Sequence, residues 1–181
     1  MKTPTLRAAL LTFALFIGAA SSAYAGPPWI SIEFPANPFD AATRDAFLTV
    51  RTYHHGLLQA KSVTATAEGL LNGKRQSIRL EVRAAPTSGV YAVRWTRPAA
   101  GNWVIVIVSS NAGEHEATAL VEVTPAGNVA GVTVPSRIME NGRWIVPRPV
   151  TAMEVNALLE GRAVASGDAI SFVPKATALA R

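Results

Sequence analysis

Ser62-Val63-Thr64-Ala65-Thr66-Ala67-Glu68-Gly69-Leu70-Leu71-Asn72-Gly73-Lys74-Arg75-Gln76-Ser77-Ile78-Arg79-Leu80-Glu81-Val82-Arg83 decides the fold class. Val63, Ala65, Ala67 and Leu71 alternate with Ser62, Thr64, Thr66 and Glu68. After the turn, Ile78, Leu80 and Val82 alternate with Ser77, Arg79, Glu81 and Arg83. A period of two sets one row of side chains in a dry layer and the other in water, the pattern of a half-buried strand. Asn72-Gly73 readily supplies the positive φ angles of a tight reverse turn. The stretch predicts a β-hairpin.

The same grammar extends outward from Trp29 to Val134, with short apolar or alternating runs separated by Gly, Pro, Asn and Asp at roughly ten-residue intervals. Such spacing predicts an antiparallel sandwich or barrel. Ile30 to Phe34 reads as a first strand, and Pro35 to Asp40 as an extended, turn-rich connection. Ala46 to His54 again alternates, as do Gly89 to Thr96 and Ala117 to Val123. Trp103 to Val108 is apolar throughout, which predicts a central strand covered on both sides. With Val129 to Val134 the count reaches about eight strands, and the expected fold is an all-β, immunoglobulin-like antiparallel β-sandwich.

The two ends of the chain depart from this pattern. Lys2 and Arg7, the apolar run Ala8 to Ala20 and the small-x-small site Ala23-Tyr24-Ala25 read as a secretory signal peptide cleaved before Gly26. The run is too short to span a bilayer. Localisation is therefore expected to be periplasmic or secreted, with no transmembrane anchor after cleavage. Residues 26–135 would form the sandwich and 136–163 a Pro-containing arm with a helix. Thr151-Ala152-Met153-Glu154 has the spacing of a capping box, and Val155, Leu158 and Leu159 share one stripe of that helix. Residues 164–181 lack a clear period and read as a flexible tail.

Composition narrows the function classes. The chain has no Cys among 181 residues, so packing and not a disulfide framework must hold an exported domain together. Past the leader, 15 basic residues face 12 acidic ones, a net +3. That mild balance, with no basic run interleaved with aromatics, argues against nucleic acid.

Gly89-Val90-Tyr91-Ala92-Val93, then Pro98, Gly101, Trp103 and an all-apolar strand, resembles the YtkA-like family of exported immunoglobulin-like domains. The resemblance spans roughly Ile30 to Val123. It implies a small periplasmic sandwich without enzymatic activity, in a family whose relatives are often associated with copper handling or electron-transfer assembly. No metal ligand is carried over from it.

Candidate chemistry is sparse. His54, His55 and His115 are the candidate metal ligands, since imidazole is the commonest transition-metal ligand. A strand continuing through Tyr53 would point His54 and His55 to opposite faces, and only a bend would bring them together. Met139 and Met153 do not cluster as a cuprous site would want. Glu114-His115-Glu116 follows the turn Asn111-Ala112-Gly113 and reads as solvated charge. No Gly-x-Ser-x-Gly elbow or phosphate loop is present, and no catalytic residue is assigned. Arg79, Arg83 and Arg94, with Lys74 and Arg75 at the hairpin tip, read as one outward basic surface laced by Glu68 and Glu81. Trp95 and Trp103 read as core, while Trp29 and Trp144 lie outside strand interiors. The expected function is a non-catalytic module that contacts another envelope protein through the arm or a sheet face, without a cofactor. The alternative is a periplasmic metal (copper) binding or delivery accessory.

Overall fold

A computed structural model of the protein describes residues 26–96, 98, 101–138, 145–162 and 169–172. The expected leader, Met139, Trp144 and residues 163–168 and 173–181 lie outside them. In chain order the strands are β1 (Trp29–Glu33), β2 (Leu48–His54), β3 (Leu57–Leu58), β4 (Ser62–Leu71), β5 (Lys74–Arg79) and β6 (Glu81–Ala84). They continue with β7 (Val90–Arg94), β8 (Asn102–Asn111), β9 (Glu114–Val123), β10 (Val129–Ile138), β11 (Ile145–Pro147) and β12 (Ala169–Phe172). Among the described residues one helix, α1 (Ala152–Leu159), lies between the last two strands.

The strands pair antiparallel into two sheets. The first runs β1-β2-β7-β6, with β3 beside the end of β2, and the second runs β11-β10-β9-β8-β4-β5, with β12 beside β10. Ile30, Leu48, Val50 and Val93 from the first sheet and Ala65, Ile105, Ile107, Ala119 and Val121 from the second form one buried cluster. The inward set of the quoted stretch thus belongs to a sandwich core, with Ala65, Ala67 and Leu80 buried in it. The hairpin forms as the alternation predicts: Leu71 pairs with Lys74, and Asn72 and Gly73 have φ of 51° and 73°.

Four expectations need correction. The strands number twelve among the described residues, not about eight, because the run through Arg79 divides in two and the short strands β3, β11 and β12 add to the count. β5 stops at Arg79; Leu80 donates its N–H to the Ala65 carbonyl at 2.9 Å, and the chain crosses to begin β6 in the other sheet. Leu80 and Val82 still point inward, so the alternation passes through the crossover unbroken. β10 runs on past Pro135 to Ile138, and the Pro135 carbonyl accepts from Arg148 N–H at 3.0 Å. Finally, 169–172, expected to be irregular, pairs with Val132 to Pro135 of β10.

The helix begins as its capping box predicts, with the Thr151 hydroxyl accepting from Glu154 N–H at 3.2 Å and the Glu154 carboxylate accepting from Thr151 N–H at 2.8 Å. Arg148 grips the same carboxylate at 2.5 Å and 3.1 Å. Val155 and Leu159 bury against Val104 and Leu120 on the outer face of the second sheet. This layer is why β8 is covered on both sides. The arm's helix packs on its own domain.

Candidate functional site at the histidine end

The end of β2, the starts of β4 and β7, the end of β8 and the start of β9 meet at one end of the sandwich. Only Gln59 to Lys61 separate β3 from β4, and the Lys61 backbone is bonded to the Tyr91 hydroxyl in both directions, at 2.7 Å and 2.5 Å. All three histidines belong to this end.

β2 does not continue past His54. His55 and Gly56 take positive φ angles, 54° and 76°, and His54 pairs with Leu57, which closes a two-residue hairpin. The reversal brings together two imidazoles that a continuing strand would have pointed apart: their ring centroids are 3.9 Å apart at 46°. Two such rings can supply two nitrogens to one ion, leaving further positions to water or to a partner's ligands. At the same end His115 stands apart from this pair, its Nε2 2.9 Å from Thr118 Oγ1. Burial holds its pKa below the usual imidazole value against the opposing pull of Glu116. Among the described residues no three His, Asp or Glu side chains are placed to hold one metal ion.

The hairpin tip is also apolar. Leu57 is 73% exposed and Leu58 40% exposed, Leu57 opposite His54 and Leu58 opposite Tyr53. The tip is braced from behind. Thr52 accepts from Gln59 N–H at 3.0 Å through its carbonyl and donates its hydroxyl to the Gln59 carbonyl at 2.6 Å. Gly89, at φ 77°, backs this bracket so closely that a Cβ would stand 2.8 Å from the Gln59 nitrogen. A side chain there would displace the tip.

Beneath the tip lies a buried ion pair that the sequence pattern hid. Ser109 pairs with Ala117 while Ser110 pairs with His115, so Glu116 is the extra residue of a β-bulge. The bulge turns its carboxylate onto the Lys61 ammonium at 2.7 Å, with the side chains only 2% and 12% exposed. Glu114 is exposed, as solvated turn charge should be, but Glu116 is not. Its Oε2 is buried without a hydrogen-bond partner.

The expected basic surface is divided. Arg79 belongs to the second sheet and Arg83 and Arg94 to the first. Arg83 pairs with Glu81, and Arg75 reaches Glu68 at 3.1 Å and also bonds Asn156 of the helix. Trp95 and Trp103 stack edge to face, ring centroids 5.6 Å apart, and Phe47 and Phe34 continue the cluster. Trp103 is buried at the opposite end of the core, as read from its strand position, while Trp95, just past the end of β7, is half-buried and packs with Phe34 and Phe47 against that core. Trp29 is half-buried against the same core.

Sequence reasoning named the imidazoles but missed Leu57, Leu58, Lys61 and Tyr91. The available signal was Gly56: an X-Gly pair at the end of an alternating run, here followed by Leu57 and Leu58, marks a tight turn even when X is not Asn. No family model matches the chain, and no curated protein or solved structure gives a significant match.

Proposed function

We propose that the chain is an exported, non-catalytic module of the bacterial envelope, an immunoglobulin-like sandwich that binds another envelope protein through the 54–58 hairpin. The observation that carries this reading is the braced tip, which holds Leu57 in water at 73% exposure. Adjacent exposed apolar side chains on a stiff support are what a partner surface covers at little ordering cost. The leader read at residues 1–25 supports export, and the resemblance to YtkA-like domains supports a non-enzymatic periplasmic role. The Leu57→Ser/Leu58→Ser variant should keep its unfolding midpoint yet lose the partner that co-purifies from envelope extracts. Substitution of Lys74 and Gln76, on the exposed edge strand β5, should leave partner recovery unchanged. Equal recovery from both variants would reject the hairpin. Export itself is tested by the mass of the fractionated protein, which should begin at Gly26.

A second reading, a periplasmic copper-binding or delivery accessory, is favoured by the 3.9 Å approach of His54 and His55. Titration with cupric and cuprous ions tests it. Binding should disappear in His54→Ala and in His55→Ala and persist in His115→Ala; binding that needs His115 would contradict this geometry.

A further inference from the structure

On the outer face of the second sheet, beyond the last turn of α1, lies a half-open cavity of about 200 Å³. Val104, Pro125, Ala130 and Leu158 give it aliphatic walls, and Glu122 is the acidic group in its lining. The helix closes beside it in a Schellman turn: Gly161, at φ 68°, donates to the Leu158 carbonyl at 3.0 Å and Arg162 N–H donates to the Ala157 carbonyl at 2.8 Å. No basic residue stands in that last turn.

The Glu122 side chain makes no hydrogen bond or ion pair within the described residues. Burial raises its pKa above the usual carboxylate value, as expected for a charge drawn from water without compensation. The local backbone accommodates it nonetheless. Val123 pairs with Val129 and Glu122 with Gly131, so Ala130 is a bulged residue. Gly131 beneath the carboxylate has no side chain, and a Cβ there would stand 3.3 Å from Oε1. A bulge, a bare glycine and a helix end thus frame a carboxylate that gains nothing from the fold.

We propose that this cleft receives a lysine side chain of a partner protein, the stem against the aliphatic walls and the ammonium against Glu122. Charge complementarity selects a cation. With one carboxylate, largely apolar walls and only the neutral Asn102 and Thr124 as further polar side chains, the lining suits lysine better than arginine, because an ammonium is a compact charge on a long apolar stem whereas a guanidinium brings five donors in a rigid fork. The cleft is a site separate from the histidine end.

The test uses the isotope-labelled mature chain, titrated with Nα-acetyl-lysine amide, with the arginine analogue and with the neutral isostere Nα-acetyl-norleucine amide. The lysine probe should shift the Ala130 and Gly161 amide resonances saturably and bind about tenfold or more tightly than norleucine. Glu122→Gln, which keeps the shape, should remove that advantage. Gly131→Ala, which keeps the charge but displaces it, should weaken lysine binding severalfold. Equal affinity for lysine and norleucine, undiminished binding in Glu122→Gln, or tighter binding of the arginine probe would each overturn the assignment. So would a gain of about tenfold in probe affinity in Lys175→Gln. The chain leaves β12 at Phe172 opposite Val132, and that gain would make its own tail the occupant.

Discussion

His55 spends backbone energy at the tip of its hairpin. Its φ of 54° lies in the left-handed region that Asn and Gly enter more cheaply than other residues. His55→Asn would give the turn the Asn-Gly pair it favours, and the unfolding midpoint in urea should rise by the equivalent of about 0.5–1 kcal/mol. A fall would mean that the imidazole stabilises the fold through His54 and is not retained at its expense. Such residues cluster where a site requires them. Glu154 shows the opposite balance. The Arg148 guanidinium, with smaller contributions from Thr151, holds its carboxyl down to about 2 from an ordinary 4.5. The folded state therefore binds this proton less readily than the unfolded chain. The stability it contributes is complete above the ordinary value and is lost as pH falls from about 4.5 toward 2. Melting temperatures of Glu154→Gln should be lower than wild type at pH 7 and converge with it at pH 2; parallel curves would remove the Arg148 grip from the account.

The elements show which parts of the fold a period of two can reveal. The β4–β5 hairpin was legible because Asn72-Gly73 and the alternation on both sides agree, and the helix because its capping box is a local device. The crossover at Leu80 was not, since Ile78, Leu80 and Val82 all point inward whichever sheet holds them. Nor was the bulge at Glu116, because one unpaired residue resets the alternation without leaving a turn signature. Among the described residues β12 pairs only with β10, and that pairing is set by tertiary placement, not by the four residues themselves. Packing within β4 is equally invisible to pattern. Gly69 lies under the fully buried Trp103, and a Cβ there would stand 2.5 Å from the ring carbons. Gly69→Ala should therefore cost about 1–3 kcal/mol, read by urea unfolding. A neutral result would show that the indole has room to move.

At the scale of the molecule, the two sheets are tied at the histidine end through the 59–61 connection. Lys61 bonds to Glu116 of the second sheet while its backbone holds Tyr91 of the first. Breaking the ion pair by Lys61→Met leaves Glu116 buried and unpaired and should cost about 3–5 kcal/mol, whereas adding Glu116→Leu should restore most of it. Calorimetry of the single and double variants checks this, and additive losses would contradict the buried pair. Above that tie stands the tip that the proposed contact depends on. Its imidazoles were readable as residues, but their meeting depends on a reversal at His55, for which Gly56 was the local signal and which a count of histidines alone does not reveal. A photo-crosslinking residue at position 57 in living cells tests the proposed contact most directly, with position 76 on the exposed edge strand as its control. The account predicts one discrete high-mass adduct from position 57 and none from 76; adducts from 76 alone, or equal yields from both, would contradict it.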